Sequence, residues 1–187
     1  MEDVWRVARA TRTETVAAPL VASLQARIDT VLAKAAQVTQ QPRVLHLEWV
    51  EPLMCGGHWI PEMVALAGGV NCFGDQHNGS LRLEWEDVVA SQPDIIIVMP
   101  CGFSVPRALQ DIPLLAQRED WATLPAVRQQ RVYVIDANAY TSRSGPRLVC
   151  GLEIMAEMLH PTVFTGMIPA GGAVQLSADQ LKGARLD

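Results

Sequence analysis

Aromatic residues are scarce in this 187-residue chain, at 5% of the total, with two tyrosines and three phenylalanines beside five tryptophans. Basic residues are outnumbered, 15 against 20 acidic, which leaves a net charge of −5, and Lys and Arg nowhere cluster. That balance excludes the electrostatic footprint of a nucleic-acid binder or of a protein held on an anionic membrane surface. No uninterrupted apolar run reaches the roughly 18 to 20 residues of a membrane span, and the start lacks a charged n-region leading into an apolar h-region. The chain therefore reads as not membrane-embedded and, as written, without an export signal. Four cysteines, Cys55, Cys72, Cys101 and Cys150, form no CxxC pair and match no zinc-ribbon spacing. They read as small buried hydrophobes or free thiols and do not decide the compartment. GxGxxG, Walker, GxSxG and HExxH motifs are all missing. The expectation is a protein that is not an enzyme, with no catalytic residues, no resident cofactor and no metal.

What is present is a change of rhythm along the chain. Residues 1–36 are Ala-rich, with Val16, Leu20, Leu24, Ile28, Val31, Leu32 and Ala35 at three- and four-residue steps, which predicts one long amphipathic helix. Thr11 and Glu14 are spaced as a capping box, and Pro19 must sit in a first turn or bend the helix. Residues 37–42 form a polar, proline-ended linker. From Arg43 onward short apolar runs alternate with helical stretches: strands at 44–49, 70–73, 94–99 and 131–136, and helices at 61–67, around Leu81 to Val89, and from Gly145-Pro146 to His160. This alternation implies a three-layer α/β lobe over 43–161, Rossmann-like, with a short mostly parallel sheet, preceded by the long helix. Residues 162–187, rich in Gly, Ala and Pro, read as a loosely attached carboxy-terminal tail.

In such sheets ligands sit beyond the carboxyl ends of the strands. Three loops lie there: Glu51–Trp59, Pro100–Phe103 and Ala137–Gly145. They gather Trp49, Met54, Cys55, His58, Trp59, Phe103, Tyr140 and Arg143 as candidates for one rim. Scarce aromatics set beside Gly56, Gly57 and Gly102 suit a flat or bulky ligand held by stacking with close backbone approach. Each has a plainer explanation: Trp49 as core, Trp59 as a staple at a helix entry, Met54 as a gap filler. Arg143 lies just before a helix start, where the dipole does not favour a cation, so a polar ligand or partner accounts for it better. Cys55 and His58, with Cys101 or His77, could instead make a sulfur and nitrogen metal site or a thiol enzyme. Asp75 and His77 otherwise read as a solvated Gly/Asn loop.

The run from Leu47 to Asn71, LEWVEPLMCGGHWIPEMVALAGGVN, resembles the signature of cobalamin-binding substrate-binding proteins of ABC transporters. These are two α/β lobes joined by one long helix. Glu84-Trp-Glu-Asp-Val-Val, Gln92-Pro-Asp-Ile-Ile-Ile-Val, Pro100-Cys-Gly-Phe and Ser144-Gly-Pro-Arg-Leu resemble further elements of that family. The AGG and PD elements recur through the wider iron-siderophore binding class. The resemblance implies capture of cobalamin or a related corrinoid or metal chelate between two lobes, followed by docking on an ABC permease through one acidic residue per lobe. Glu86 stands at the docking position, and Met54, Phe103, Tyr140 and Arg143 at rim positions that would face the corrin.

By that pattern the chain corresponds to the carboxy-terminal lobe and its connecting helix, with half of the cleft missing. Periplasmic or extracytoplasmic placement is implied by the resemblance, whereas the missing signal peptide leaves a cytoplasmic reading open. A transport-independent binding or scaffold module is the alternative, a homodimer whose second copy stands in for the absent lobe.

Overall fold

The computed structural model describes residues 1–75 and 78–183. His77 and the last four residues of the tail lie outside the described residues. In chain order the elements are helices α1 (Glu2–Thr11) and α2 (Glu14–Ala35), strands β1 (Arg43–Trp49) and β2 (Met54–Cys55), α3 (Ile60–Leu66), β3 (Val70–Asn71), β4 (Leu81–Arg82), α4 (Trp85–Ser91) and β5 (Ile95–Val98). There follow α5 (Val105–Leu109), α6 (Ile112–Ala116), a 3-10 turn at Trp121–Thr123, α7 (Pro125–Arg128), β6 (Val132–Ile135), α8 (Ala137–Tyr140), α9 (Arg147–Leu159), β7 (Ala173–Gln175) and α10 (Ala178–Leu181).

Three strands form the parallel centre, with β5 between β1 and β6. Their side chains alternate between two cores. Leu45, Leu47, Ile96, Val98, Val132 and Val134 face one layer, while Val44, Ile95, Ile97, Tyr133 and Ile135 face the other. Burial on both faces is why these segments read as continuous apolar runs. The first layer is closed by α4 to α7 and α10, the second by α2, α3 and α9. On the outer edge of β1, β3 pairs in parallel at its start and β2 antiparallel at its end, and β4 extends the sheet beyond β2.

Several expectations need correction. Residues 1–36 are not one helix: Arg12 takes the left-handed conformation (φ 56°) and closes α1, so the long helix is α2 alone. No capping box forms there, because the Thr11 hydroxyl turns back to the Val7 carbonyl at 2.9 Å and Thr13 becomes the cap position. Pro19 lies inside α2. Its expected stripe is only half used, since Leu24 and Val31 are buried while Val16 is 68% exposed. Leu81 belongs to β4 and not to the following helix.

The segment after Pro161 is no loose tail. Phe164 is fully buried, β7 pairs antiparallel with β6, and Trp121 donates its indole N–H to the Leu181 carbonyl at 3.0 Å. The Glu157 carboxylate accepts the backbone N–H groups of Gly166, Met167 and Ile168. Glycine and proline here make turns that return the chain to the sheet.

By length and hydropathy α2 could cross a membrane. In this fold its Arg27 grips Glu153 of α9 through two bonds, 2.8 and 2.5 Å, and also reaches the Cys150 thiol. The hydrogen bonds to Glu153 hold the guanidinium even more firmly in its charged form.

Replacing Phe164→Ala should lower stability by about 3 to 5 kcal/mol, the usual loss for a buried aromatic. Urea denaturation checks this, and an unchanged midpoint would show that residues beyond Pro161 are peripheral.

Candidate functional site

The carboxyl ends of β1, β5 and β6 carry the three loops, and hydrogen bonds join them. Trp59 donates its indole N–H to the Thr141 carbonyl at 2.8 Å, tying the first loop to the third. Gly102 N–H donates to the Ser142 hydroxyl at 2.9 Å and Asn138 N–H to the Phe103 carbonyl at 3.2 Å, tying the second to the third. The rim is thus one surface, as expected from the topology.

Trp49 and Phe103 meet edge to face at 5.4 Å between ring centres, both half-buried. The Arg107 guanidinium lies 4.2 Å from the Phe103 ring centre and pairs with Asp111 at 2.8 Å. The rim also holds a cavity of about 220 Å³ lined by Glu48, His58, Trp59, Met99, Cys101 and Thr141, among others. Among the expected residues, His58 and Trp59 line it. His58 is exposed and left-handed (φ 56°), and its N–H donates to the Asn78 carbonyl at 2.9 Å. Gly57 is required there, since a Cβ would stand 2.3 Å from the Gly79 backbone.

The other expected residues divide. Met54 is half-buried in β2, paired with Arg82. Tyr140 packs against the core under α3 and α9, and Arg143 is exposed, donating to Asn138 Oδ1 at 3.0 Å. Glu86 is exposed in the first turn of α4. Cys55 corrects the expectation: it is fully buried among Leu45, Leu47 and Leu83, and burial pushes its thiol pKa up. It cannot join His58 and Cys101 on the rim without leaving the core. Among the described residues no three His, Cys, Asp or Glu side chains gather as a metal site.

Sequence reasoning missed Glu48, Arg107 and Thr141 at this rim. Glu48 carried a signal, a charge at the end of an apolar strand directly before Trp49.

Beneath the rim lies His46, 1% exposed. Its Nδ1 accepts the Gly56 N–H at 3.2 Å, so the proton is on Nε2, which donates to Asn71 Oδ1 at 3.0 Å. Asn71 passes the chain on to the Pro61 carbonyl at 2.9 Å. The neutral ring thus joins β1, β3, the Gly56-Gly57 turn and the start of α3. Burial lowers its pKa from 6.5 to about 4, against the opposing bond to Asn71.

Residues 2–139 match the family model described as periplasmic binding protein, and the chain belongs to that family. An uncharacterized ABC transporter substrate-binding lipoprotein of Bacillus subtilis, YvrC, is 32% identical over 106 residues, covering 57% of this chain and 31% of its own length. An ABC transporter substrate-binding protein from Listeria monocytogenes superposes with a TM-score of 0.75 at 24% identity, over 86% of this chain and 63% of that one. The periplasmic heme-binding protein RhuT from Roseiflexus gives 0.72 at 25% identity, over 87% and 62%. The chain therefore spans about a third of the Bacillus protein and under two thirds of both solved structures.

The His46 ring gives a pH dependence. With its folded pKa depressed, the unfolded chain binds the proton first as pH falls, so its contribution is complete above about pH 6.5 and drains away down to about pH 4. The loss should be on the order of 3 kcal/mol, since each tenfold change in proton affinity is worth about 1.4 kcal/mol. His160, also lowered by burial, acts in the same direction. Denaturation at several pH values should therefore show a shallower slope in His46→Gln than in the unaltered chain, and equal slopes would refute the assignment.

Proposed function

We propose that this chain is the ligand-capturing lobe of an ABC-importer substrate-binding protein, and that its ligand is a corrinoid such as cobalamin or a related metal chelate. The observation that carries the reading is the Trp49–Phe103 pair at the strand ends, within a rim stitched from three loops. Half-buried aromatic edges offer a large flat ligand contact area at little entropic cost, since the rings are already held. Membership of the periplasmic binding protein family supports capture in place of catalysis. The heme named for one relative belongs to the same broad class of planar metal chelates. Met54, His58, Trp59, Tyr140 and Arg143 are proposed to border the ligand, and Glu86, exposed on α4, to meet the permease. The proposed setting is extracytoplasmic.

A single rim leaves the ligand's other face uncovered, so affinity by this chain alone should be weak. The second reading, a homodimer, is favoured by a groove of about 720 Å³ between the α1–α2 arm and α3 and α9, lined by Val7, Val16, Leu20, Met63, Leu148 and others. Val7 and Val16 are more than half exposed there. A strict monomer by light scattering at high concentration would sink that second reading.

Visible-absorbance titration with aquocobalamin, cyanocobalamin, haemin and a ferric siderophore tests the first. Binding is expected for a corrinoid, and Trp49→Ala and Phe103→Ala should each weaken it about tenfold, equivalent to about 1.4 kcal/mol. A preference for the aquo over the cyano form would assign His58 as an axial ligand. No spectral change with any of the four would refute the receptor reading. Glu86→Lys should leave the titration unchanged while reducing association with the cognate permease.

A further inference from the structure

The turn at residues 56–59 joins β2 to α3 and brings His58 and Trp59 to the rim cavity. It is fastened from inside by a chain of hydrogen bonds whose two ends are backbone groups. The Gly56 N–H can only donate, and the Pro61 carbonyl can only accept. Because Pro61 only accepts, Asn71 gives it an amide N–H at 2.9 Å and turns Oδ1 to His46. The ring must then donate from Nε2, at 3.0 Å, and it meets the Gly56 N–H, at 3.2 Å, with a bare Nδ1. Only one arrangement of protons satisfies every member. A doubly protonated ring carries N–H on both nitrogens, so it sets donor against donor at Gly56 whichever way it is turned. Around it, β5 places Ile97 alongside, and α3 buries Ile60, Met63 and Val64 in the same layer. The titratable groups of the surrounding elements are engaged elsewhere. Cys55 and Cys72 pack in the opposite layer, Glu62 of α3 is exposed, and Arg27 of α2 pairs with Glu153 of α9. Glu48, two residues on along β1, has its carboxylate on the Ser80 hydroxyl.

We propose that His46 is a proton-operated latch for the rim: in acid the ring takes a second proton, the 56–59 turn comes away from β1, and the rest of the lobe stays folded. Among the described residues no strand pair involves 56–59, and the core side chains on either side of the turn, Cys55 and Ile60, lie outside it. The turn can therefore open at less cost than the whole lobe. Burial resists the proton in the closed form, taking the ring from 6.5 to about 4 against the pull of Asn71 and the Phe73 carbonyl. With the turn away the ring meets water and regains its ordinary affinity. Opening is therefore favoured about tenfold more for each pH unit below about 6.5, and roughly 300-fold more by about pH 4. Ligand held at neutral pH and released in acid is the consequence for function. That consequence rests on the reading of the rim as a ligand surface, whereas the latch is tested with no ligand present.

The test is amide hydrogen exchange of the full chain, followed by NMR at several pH values from neutral to mildly acidic, with each rate corrected for the intrinsic effect of pH. The Gly56 and His58 amides should lose protection about tenfold per pH unit below about pH 6, while staying less protected than Ile96 at the sheet centre. The Asn138 amide, on the rim but off the turn, should not follow them. His46→Gln cannot titrate, and its amide oxygen can accept from Gly56, so the slope should flatten. Asn71→Asp should move the transition the other way. Its carboxylate keeps the ring charged once the turn has left, so protection should start to fall about one pH unit higher. A residue that merely packed would lower protection at every pH and leave the slope alone. Exchange of Gly56 only together with Ile96, a slope that survives His46→Gln, or a slope abolished by Glu48→Gln would each overturn the proposal. An intact latch in a chain that binds none of the four chelates would overturn the receptor reading and leave the latch standing.

Discussion

Burial of β5 on both faces is the constraint from which the rest of the architecture follows. Ile95, Ile96, Ile97 and Val98 have no solvent face, so each side of the sheet needs its own layer of helices. The connections to β1 and β6 then cross over through those layers, and the strands run parallel with their carboxyl ends on one rim. Loops leaving those strand ends meet on one rim, which brings chemically varied segments together.

The rim is held from below by a polar cluster and not by apolar packing. His46 occupies a position on β1 that faces the second core layer, where an aliphatic side chain would serve packing alone. As a neutral imidazole it satisfies the Gly56 N–H and, through Asn71, the Pro61 carbonyl, both backbone groups that a turning chain would otherwise leave unpaired. The same arrangement accounts for its depressed pKa, because protonation would turn Nδ1 from acceptor to donor against Gly56.

Much of this was legible in order along the chain. The four predicted strands have their counterparts in β1, β3, β5 and β6, and Pro61 and Gly68 bracket α3 as their chemistry requires. The errors share a cause. Residues beyond Pro161 carry a turn-rich composition, and composition does not reveal that a short strand will find β6 or that Phe164 will fill a core. Cys55 stood between residues of the rim in sequence, yet strand alternation sends its side chain inward while Met54 beside it stays half exposed. Arg12 ended α1 without a glycine or proline to announce it.

The sequence by itself determined the class of fold, the rim's location and the family, because periodicity and turn residues are local properties and the Leu47–Asn71 run is a specific one. Only the tertiary structure decided which rim residues share a cavity. Glu48 and Thr141 are far apart in the chain, and only the strand ends bring both to one cavity. Hydrogen-bond satisfaction is a property of three-dimensional neighbours, and no reading along the chain contains it.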